Sequence, residues 1–141
     1  MTCVTQTQKA RMNKIFFIVI VCIIGLLSMK SYGQNLGNYQ WKNRVLIVKT
    51  SNIKSEKYAN QLEEFQNYND QLKERKFIVY HIHKDEFSAT DYRTNEFSSG
   101  KISPKMKYNL LDEKENFEVI LIGLDGNIKF QKSEIITKKI L

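Results

Sequence analysis

Two apolar segments separated by a segment of helical periodicity constrain the fold of this chain most strongly. Arg44 to Lys49 is rich in β-branched residues and is typical of a strand buried on both faces, and Phe77 to His83 predicts a second strand. Between them, Glu56 to about Arg75 predicts a helix. Its apolar residues recur at spacings of four, three and seven, on one stripe: Tyr58, Leu62, Phe65 and Leu72. This order predicts a right-handed crossover between parallel strands.

A long polar segment, Lys84 to Asn116, follows the second strand. It is too long for a plain loop in a compact domain. Ser103-Pro104 places a helix cap before a proline at the first helical position, which predicts a short helix over about Pro104 to Asp112. We expect the rest of the segment, Asp85 to Lys101, to be a surface excursion within a polar stretch at about 84–103.

The last third of the chain predicts a β-hairpin. Phe117 to Leu124 is strongly apolar and predicts a central strand. Asp125-Gly126 is a strong turn signal because such turns need a positive φ. Asn127 to Lys132 alternates apolar and polar residues, as a half-exposed strand does. Thr137 is a candidate cap for a last helix, and the printed chain ends at Leu141, about one turn later.

The predicted order is therefore strand, helix, strand, helix, β-hairpin and the start of a helix. This is an α/β fold with a thioredoxin-like layout, β-α-β plus helix plus β-hairpin, in which a mixed sheet carries helices on its faces. The last helix is expected to be truncated. One sheet face is then expected to lack part of its cover, and a truncated gene product is one interpretation of the whole chain.

The N-terminal segment has the organisation of a secretory signal. Basic residues precede Ile15 to Met29, fifteen residues without a charge, which is shorter than the roughly 20 apolar residues of a membrane-spanning helix. Ser31-Tyr32-Gly33 places small residues where a signal peptidase requires them, which predicts cleavage between Gly33 and Gln34 or, as an alternative, one residue later.

Residues 1–33 are accordingly expected to be a signal peptide, with Met12 as an alternative start. Residues 34–141 are expected to be an exported domain, periplasmic or secreted. The alternative is an uncleaved single-helix anchor, and we expect contact with a membrane only through such an uncleaved signal.

Removing this segment changes the charge and the cysteine content. The full chain has 22 basic and 15 acidic residues and a net charge of +7, but four of the basic residues lie within residues 1–33. The remaining 18 basic and 15 acidic residues leave +3, so no nucleic-acid partner is expected. Both cysteines, Cys3 and Cys22, also lie in the segment. A domain without cysteine has no thiol nucleophile, disulfide or thiolate metal site.

Three segments of the domain resemble a known family. They are Tyr39-x-Trp41-x-x-Arg44 before the first strand, Arg75 to Val79 entering the second, and Phe117 to Lys129 with its Gly123-x-Asp125-Gly126 turn. Together they resemble the domain of unknown function 4174 family, thioredoxin-like exported bacterial proteins, over about Tyr39 to Leu141.

The resemblance implies the fold and export. It implies no activity and no catalytic residue, because none is established for the family. Family members usually continue through a full C-terminal helix, and the printed chain ends where that helix would begin.

The loop Thr50 to Ser55 stands where redox thioredoxins carry Cys-x-x-Cys, at the start of the first helix. Ser55 is a typical N-cap. As an alternative, the free amides of this helix start, with Ser51, Lys54 and Ser55, form a weak candidate site for a phosphate or carboxylate. Redox thioredoxins also place a proline before the third of these strands, whereas the only proline here is Pro104. Both halves of a redox site are therefore missing.

His81 and His83 alternate on one face of the second strand, and Asp85 follows at the same parity. Two imidazoles and a carboxylate on one side are a weak candidate site for zinc or copper. Three ligands within five residues of an extended strand rarely close around one ion without a fourth group from elsewhere. We therefore expect ordinary residues of a strand that turns towards solvent, and no cofactor.

No catalytic motif is present: the chain has no Gly-x-Ser-x-Gly, no P-loop and no dinucleotide fingerprint. We expect a redox-inactive, non-enzymatic binding or interaction module with a protein or small ligand as its partner. Its expected contact surface is Asp85 to Lys101 together with the bare sheet face, which implies self-association or a heteromer. The alternative is a metal-binding protein that uses His81, His83 and Asp85.

Overall fold

The computed structural model describes residues 35–140, which belong to one compact unit of the chain, Gly33–Leu141. The expected signal peptide, its alternative start at Met12, its cleavage site and both cysteines lie outside the described residues. Within residues 35–140, none of the helices has the length and apolar character that a membrane crossing requires.

The described residues contain six strands, three α-helices and one 3-10 helix. The strands are β1 (Arg44–Thr50), β2 (Phe77–His83), β3 (Glu86–Asp91), β4 (Glu96–Lys101), β5 (Phe117–Ile122) and β6 (Ile128–Lys132). The helices are a 3-10 helix (Leu36–Tyr39), α1 (Glu56–Asn67), α2 (Asn69–Glu74) and α3 (Pro104–Leu110).

All six strands form one mixed sheet in the order β4-β3-β2-β1-β5-β6. Only β1 and β2 are parallel, and the other neighbouring pairs are antiparallel. At the centre, Ile47 of β1 lies between Tyr80 of β2 and Ile120 of β5. The expected α/β fold with a mixed sheet is confirmed.

The predicted long helix is present as two shorter ones. Ser55 caps α1 by accepting a hydrogen bond from the Tyr58 amide at 3.3 Å. The helix is interrupted at Tyr68, where φ is −116° and ψ is 18°. Asn67, Asn69 and Asp70 surround this break, and their side chains compete with the backbone for hydrogen bonds, which lowers helix propensity.

Each face of the sheet buries its own apolar layer. On one face, Phe65 of α1 and Leu72 of α2 pack against alternate residues of the central strands, among them Leu46 and Val48. On the other face, Met106 of α3 packs against the intervening residues. Every residue of β5 is buried, as the apolar segment predicts for a central strand.

The expected surface excursion is an ordered β-hairpin, so that prediction is wrong. β3 pairs with β2, and β4 pairs with β3, which adds two strands to the edge of the sheet. Phe87 and Ala89 are buried, whereas every residue of β4 is exposed. Asn95 closes the turn at a φ of 60°, a conformation that asparagine tolerates well. Because β4 has no buried side, its sequence lacks the alternation that signals a strand.

The expected bare sheet face is also covered within the described residues. Ile136 is 0% exposed and packs in the same layer as Phe65. The buried side chain of Gln61 holds it: Gln61 Nε2 donates to the Ile136 carbonyl at 3.2 Å, and the Ile136 amide donates to Gln61 Oε1 at 2.8 Å. Where the start of a last helix was expected, the Ile140 amide closes a single turn on the Thr137 carbonyl at 3.0 Å.

Candidate functional site

The loop at the start of α1 uses its amides within the chain. The Asn52 amide donates to Thr50 Oγ1 at 3.2 Å, the Lys54 amide to Asn52 Oδ1 at 2.9 Å, and the Ser55 amide to the Asn52 carbonyl at 3.1 Å. Ser51 is bound to the segment before β5. Its amide donates to the Asn116 carbonyl at 2.8 Å, and its hydroxyl donates to Asn116 Oδ1 at 3.1 Å.

These contacts decide between the two interpretations of the loop only in part. The capping role of Ser55 is confirmed. The anion site at Ser51, Lys54 and Ser55 stays a prediction. Its three amide donors at Ser51, Lys54 and Ser55 already have acceptors within the chain, which leaves the exposed Lys54 side chain as its main positive group.

His81 lies against α1, half-buried among aromatic rings. Its Nδ1 is 3.3 Å from the Tyr58 hydroxyl, and the Tyr58 and Phe65 rings stand edge-on to it at centroid distances of 6.1 and 6.3 Å. Burial lowers the pKa of His81, because the charged imidazolium loses hydration there. The folded chain therefore favours the neutral imidazole.

His83 and Asp85 turn to different partners. His83 Nδ1 is 3.1 Å from the Thr50 carbonyl, and it must donate there because a carbonyl only accepts. Asp85 pairs with Lys107 of α3 at 2.7 Å. The hydrogen bond from Lys107 and its charge hold the pKa of Asp85 below its ordinary value and raise the pKa of Lys107.

The three-ligand metal site is not assembled. Between His83 and Asp85, Lys84 has a φ of 56°, in the left-handed region. This residue breaks the alternation of the strand, so the parity argument fails at Asp85. Across the part of the chain that the structure describes, no group of three or more His, Cys, Asp or Glu side chains comes together to hold a metal.

A buried carboxylate that the sequence reasoning missed lies beneath α3. Glu118 of β5 is 2% exposed. Its Oε2 accepts from the Asp112 amide at 3.1 Å, and its Oε1 accepts a short hydrogen bond from Gln131 Nε2. Gln131 also donates to the Leu110 carbonyl at 3.1 Å.

Lys49 completes this network from the neighbouring strand. It is the register partner of Glu118, and its ammonium donates to the Asp112 carbonyl. The backbone groups of Leu110 and Asp112 at the end of α3 are thus bound by side chains of three strands, β1, β5 and β6. The sequence signal was a single charged residue within the apolar Phe117–Ile122 strand, and its role here is to attach α3 to the sheet.

Two of the segments that resemble the family meet at the opposite end of the sheet. The Trp41 amide donates to the Leu124 carbonyl at 2.6 Å, and Gln40 Nε2 donates to the Asp125 carbonyl at 2.9 Å. Gly126 has a φ of 78°, and Gln40 packs over it. The contact joins the segment before β1 to the β5–β6 turn.

Trp41 itself is an outlier. Its φ is 64°, which is rare for a bulky residue, and its side chain is 72% exposed. The preceding residue, Gln40, lines a groove of about 640 Å³ that opens between the 3-10 helix, α3 and the β5–β6 turn. Asp125 at its rim is bound by Lys129 Nζ at 2.6 Å and by Asn127. The Lys129 hydrogen bond and the Asn127 contacts lower the pKa of Asp125 to about 2.

The outer strand β4 is the most open surface of the hairpin. All six of its residues are exposed, and the Phe97 side chain is 68% exposed. Among residues 35–140, β4 pairs with β3 alone, so its other edge presents backbone donors and acceptors. This edge lies in the segment that the sequence singled out as a contact surface, although as a strand and not as a loop.

The described residues form an α/β domain. Its candidate site residues make hydrogen bonds or ion pairs within the chain, and its sheet has an open edge at β4. The chain belongs to the family described as Domain of unknown function (DUF4174), which matches residues 35–141. This confirms the resemblance of the Trp41, Arg75 and Asp125-Gly126 segments. No curated protein and no solved structure matches the chain.

Proposed function

We propose that this chain is an exported, redox-inactive, thioredoxin-like protein that binds another polypeptide through the open edge of its sheet and performs no catalysis. The observation that carries the binding role is β4, a strand exposed along its whole length with Phe97 on it. Long unpaired edges are templates for strand addition, in which backbone hydrogen bonds supply the affinity.

The strand order supports the thioredoxin-like part of the proposal. β1 and β2 form a parallel crossover unit through α1 and α2, and the β5–β6 hairpin adds antiparallel strands on the other side of β1. The β3–β4 hairpin extends this arrangement at the β2 edge. The redox-inactive part of the proposal is supported by the position of both cysteines before residue 34, in the segment expected to be removed.

Export rests on the N-terminal sequence and is tested separately. The full chain would be expressed in a bacterial host, and the N-terminus of the exported material would be sequenced. We expect Gln34 as the first residue. Exported protein that still begins at Met12 or Met1 would contradict cleavage after Gly33.

Binding at the β4 edge is tested with a library of displayed random peptides and the full-length chain as bait. The matched variants are Ser99→Pro and Ser99→Val. Proline removes the Ser99 amide hydrogen, whereas valine retains it and suits a strand. We expect enriched peptides to bind the wild type and Ser99→Val and to lose binding to Ser99→Pro.

Equal binding to Ser99→Pro would place the peptide site elsewhere. No enrichment on the wild type would count against a peptide-binding edge. Folding of each variant is checked by its urea transition, because a proline that unfolds the hairpin would lower stability as well as binding.

A further inference from the structure

The geometry points to a second copy of this chain as the occupant of the open edge. We infer that two β4 strands pair antiparallel about a twofold axis at Ser99 and join two sheets into one. This inference rests on the proposed function, because it names the partner of the same edge.

The contact after the hairpin fixes which backbone groups of β4 face outwards. The Ile102 amide donates to the Asp85 carbonyl at 2.9 Å, which makes these two residues a hydrogen-bonded pair of the β3–β4 ladder. Such pairs alternate along an antiparallel ladder. In the observed register, the backbone amides and carbonyls of Gly100 and Ser98 therefore also face β3. The amides and carbonyls directed away from the sheet then belong to the intervening residues: Phe97, Ser99 and Lys101.

Twofold symmetry restricts how this edge can pair with itself. In an antiparallel pair, two facing residues direct their backbone amides and carbonyls either both towards each other or both away. The twofold axis must therefore pass between a residue and the same residue of the second copy. An axis at Ser99 places Ser99 opposite itself and Phe97 opposite Lys101 of the second copy. All three outward residues are then paired. An axis at Ser98 pairs Phe97 with Ser99 and leaves Lys101 outside the regular strand pairing.

The side chains suit the Ser99 register. Phe97 would lie across from the stem and ammonium of Lys101 of the second copy, a contact in which a lysine covers an aromatic ring. On the other face, Ser98 would lie opposite Gly100, so no large side chains collide. The exposed ring of Phe97 would lose solvent contact, which favours pairing.

Charge also favours the antiparallel arrangement. At the start of β4, Glu96 lies across from Asp91 of β3, and Arg93 in the connecting turn offsets one of these two carboxylates, so this end keeps a net negative charge. At its end, lysines outnumber carboxylates: Lys84, Lys101 and Lys107 against Asp85 and Glu86. Antiparallel pairing sets the acidic end of each copy beside the basic end of the other.

The opposite edge of the sheet has features that oppose such pairing. The β5–β6 ladder has a register shift at Leu121/Ile122, and β6 carries lysines at Lys129 and Lys132. Bulges and edge lysines discourage strand addition. The four central residues of β4, Phe-Ser-Ser-Gly, carry no charge. A single strand pair is small compared with standard interfaces of about 1,200–2,000 Å², so the dimer is expected to be weak and concentration-dependent.

Disulfide trapping tests the register. The full-length chain with Cys3→Ser and Cys22→Ser would carry Ser99→Cys or, as the matched control, Ser98→Cys. Facing residues of a hydrogen-bonded pair are about 5.5 Å apart between Cα atoms. That distance lies within the range of about 4.4–6.8 Å in which disulfides form. In the same register, Ser98 faces Gly100 and lies too far from Ser98 of the second copy.

We expect Ser99→Cys to form a disulfide-linked dimer under mild oxidation, at least tenfold faster than Ser98→Cys at equal concentration. Equal rates would mean random collision, and faster trapping of Ser98→Cys would mean a different register; either result overturns the inference. Sedimentation of the cysteine-free chain should show a dimer at high concentration that Ser99→Pro removes.

Failure of self-pairing can be distinguished from failure of peptide binding at the same edge. If the chain stays monomeric and Ser99→Cys is not trapped, while displayed peptides still require the Ser99 amide, self-pairing is wrong and the peptide-binding edge stands. If the peptides also bind independently of that amide, both proposals fail.

Discussion

The contact between Gln61 and Ile136 gives the sharpest test of how this domain holds its C-terminal segment. Gln61 is a buried polar residue on α1, and its amide binds both the amide and the carbonyl of Ile136. Gln61→Ala removes both partners from a backbone that is itself buried. A buried group left without its hydrogen bond costs about 1–3 kcal/mol.

The expected loss of unfolding free energy is therefore about 2–4 kcal/mol, after allowing for partial relaxation of the segment towards water. Urea unfolding of the full chain, followed by far-ultraviolet circular dichroism, measures it. Gln66→Ala is the matched control, because Gln66 is the same residue type in the same helix and is exposed. It should change stability by less than about 0.5 kcal/mol.

A loss below about 1 kcal/mol for Gln61→Ala, or equal losses for both variants, would refute the reasoning. It would mean that Ile136 is held by apolar packing alone. A variant Gln61→Glu removes the donor and adds a charge: its carboxylate still accepts from the Ile136 amide but cannot donate to the carbonyl. It should be at least as unstable as Gln61→Ala at neutral pH, because it also buries a charge.

Three further predictions follow from other polar groups. Glu118→Ala leaves two hydrogen-bond donors without their acceptor and should lower the free energy of unfolding by about 2–3 kcal/mol in the urea assay, whereas alanine at the exposed Glu113 should change it little. Burial lowers the pKa of His81 from 6.5, so the unfolded chain binds more protons just below that pH. The stability contributed by the neutral His81 should be complete above pH 6.5 and be lost as the pH falls from 6.5 through the folded-state pKa, and His81→Phe should remove this part of the slope below pH 6.5. Lys129→Ala should raise the pKa of Asp125 from about 2 towards 3.8 in a carboxyl NMR titration, and a pKa that stays near 2 would show that Asn127 alone is sufficient.

The three central strands and the N-cap of α1 could be predicted from the sequence. β1, β2 and β5 lie where continuous apolar segments placed them, and Ser55 caps α1 as its residue type indicates. In these elements burial and local propensity agree, so pattern alone is enough.

The hairpin β3–β4 could not be predicted in the same way, because its second strand has no buried side. What holds β4 in place is backbone pairing with β3, and Ser98, Ser99 and Gly100 give no alternation. The position of Asp85 failed for a related reason. Lys84 has a positive φ, in the left-handed region, and ends the alternation of side chains along β2. A lysine gives no sequence signal for that conformation, which glycine adopts most readily.

The sequence carries a signal for the two buried polar residues, Gln61 and Glu118, because each stands on an apolar face. Gln61 lies three residues after Tyr58 and four before Phe65, so it stands on the apolar stripe of α1. Glu118 interrupts an apolar strand. In each position a polar residue on a buried face implies a dedicated partner, but the partner is distant in sequence: Ile136 for one and Gln131 for the other.

These assignments narrow what the described residues can bind. The loop amides, the imidazoles and the buried carboxylate that sequence reasoning or structure brings forward all have partners within the chain. Among the described residues, Gln71 Oε1 is the one buried side-chain atom without a partner. Among the described residues, the outer edge of β4 presents backbone amides and carbonyls in a regular array. Such an array matches the backbone of another extended strand better than it matches an ion or a small polar molecule, because only a strand presents donors and acceptors at the same spacing.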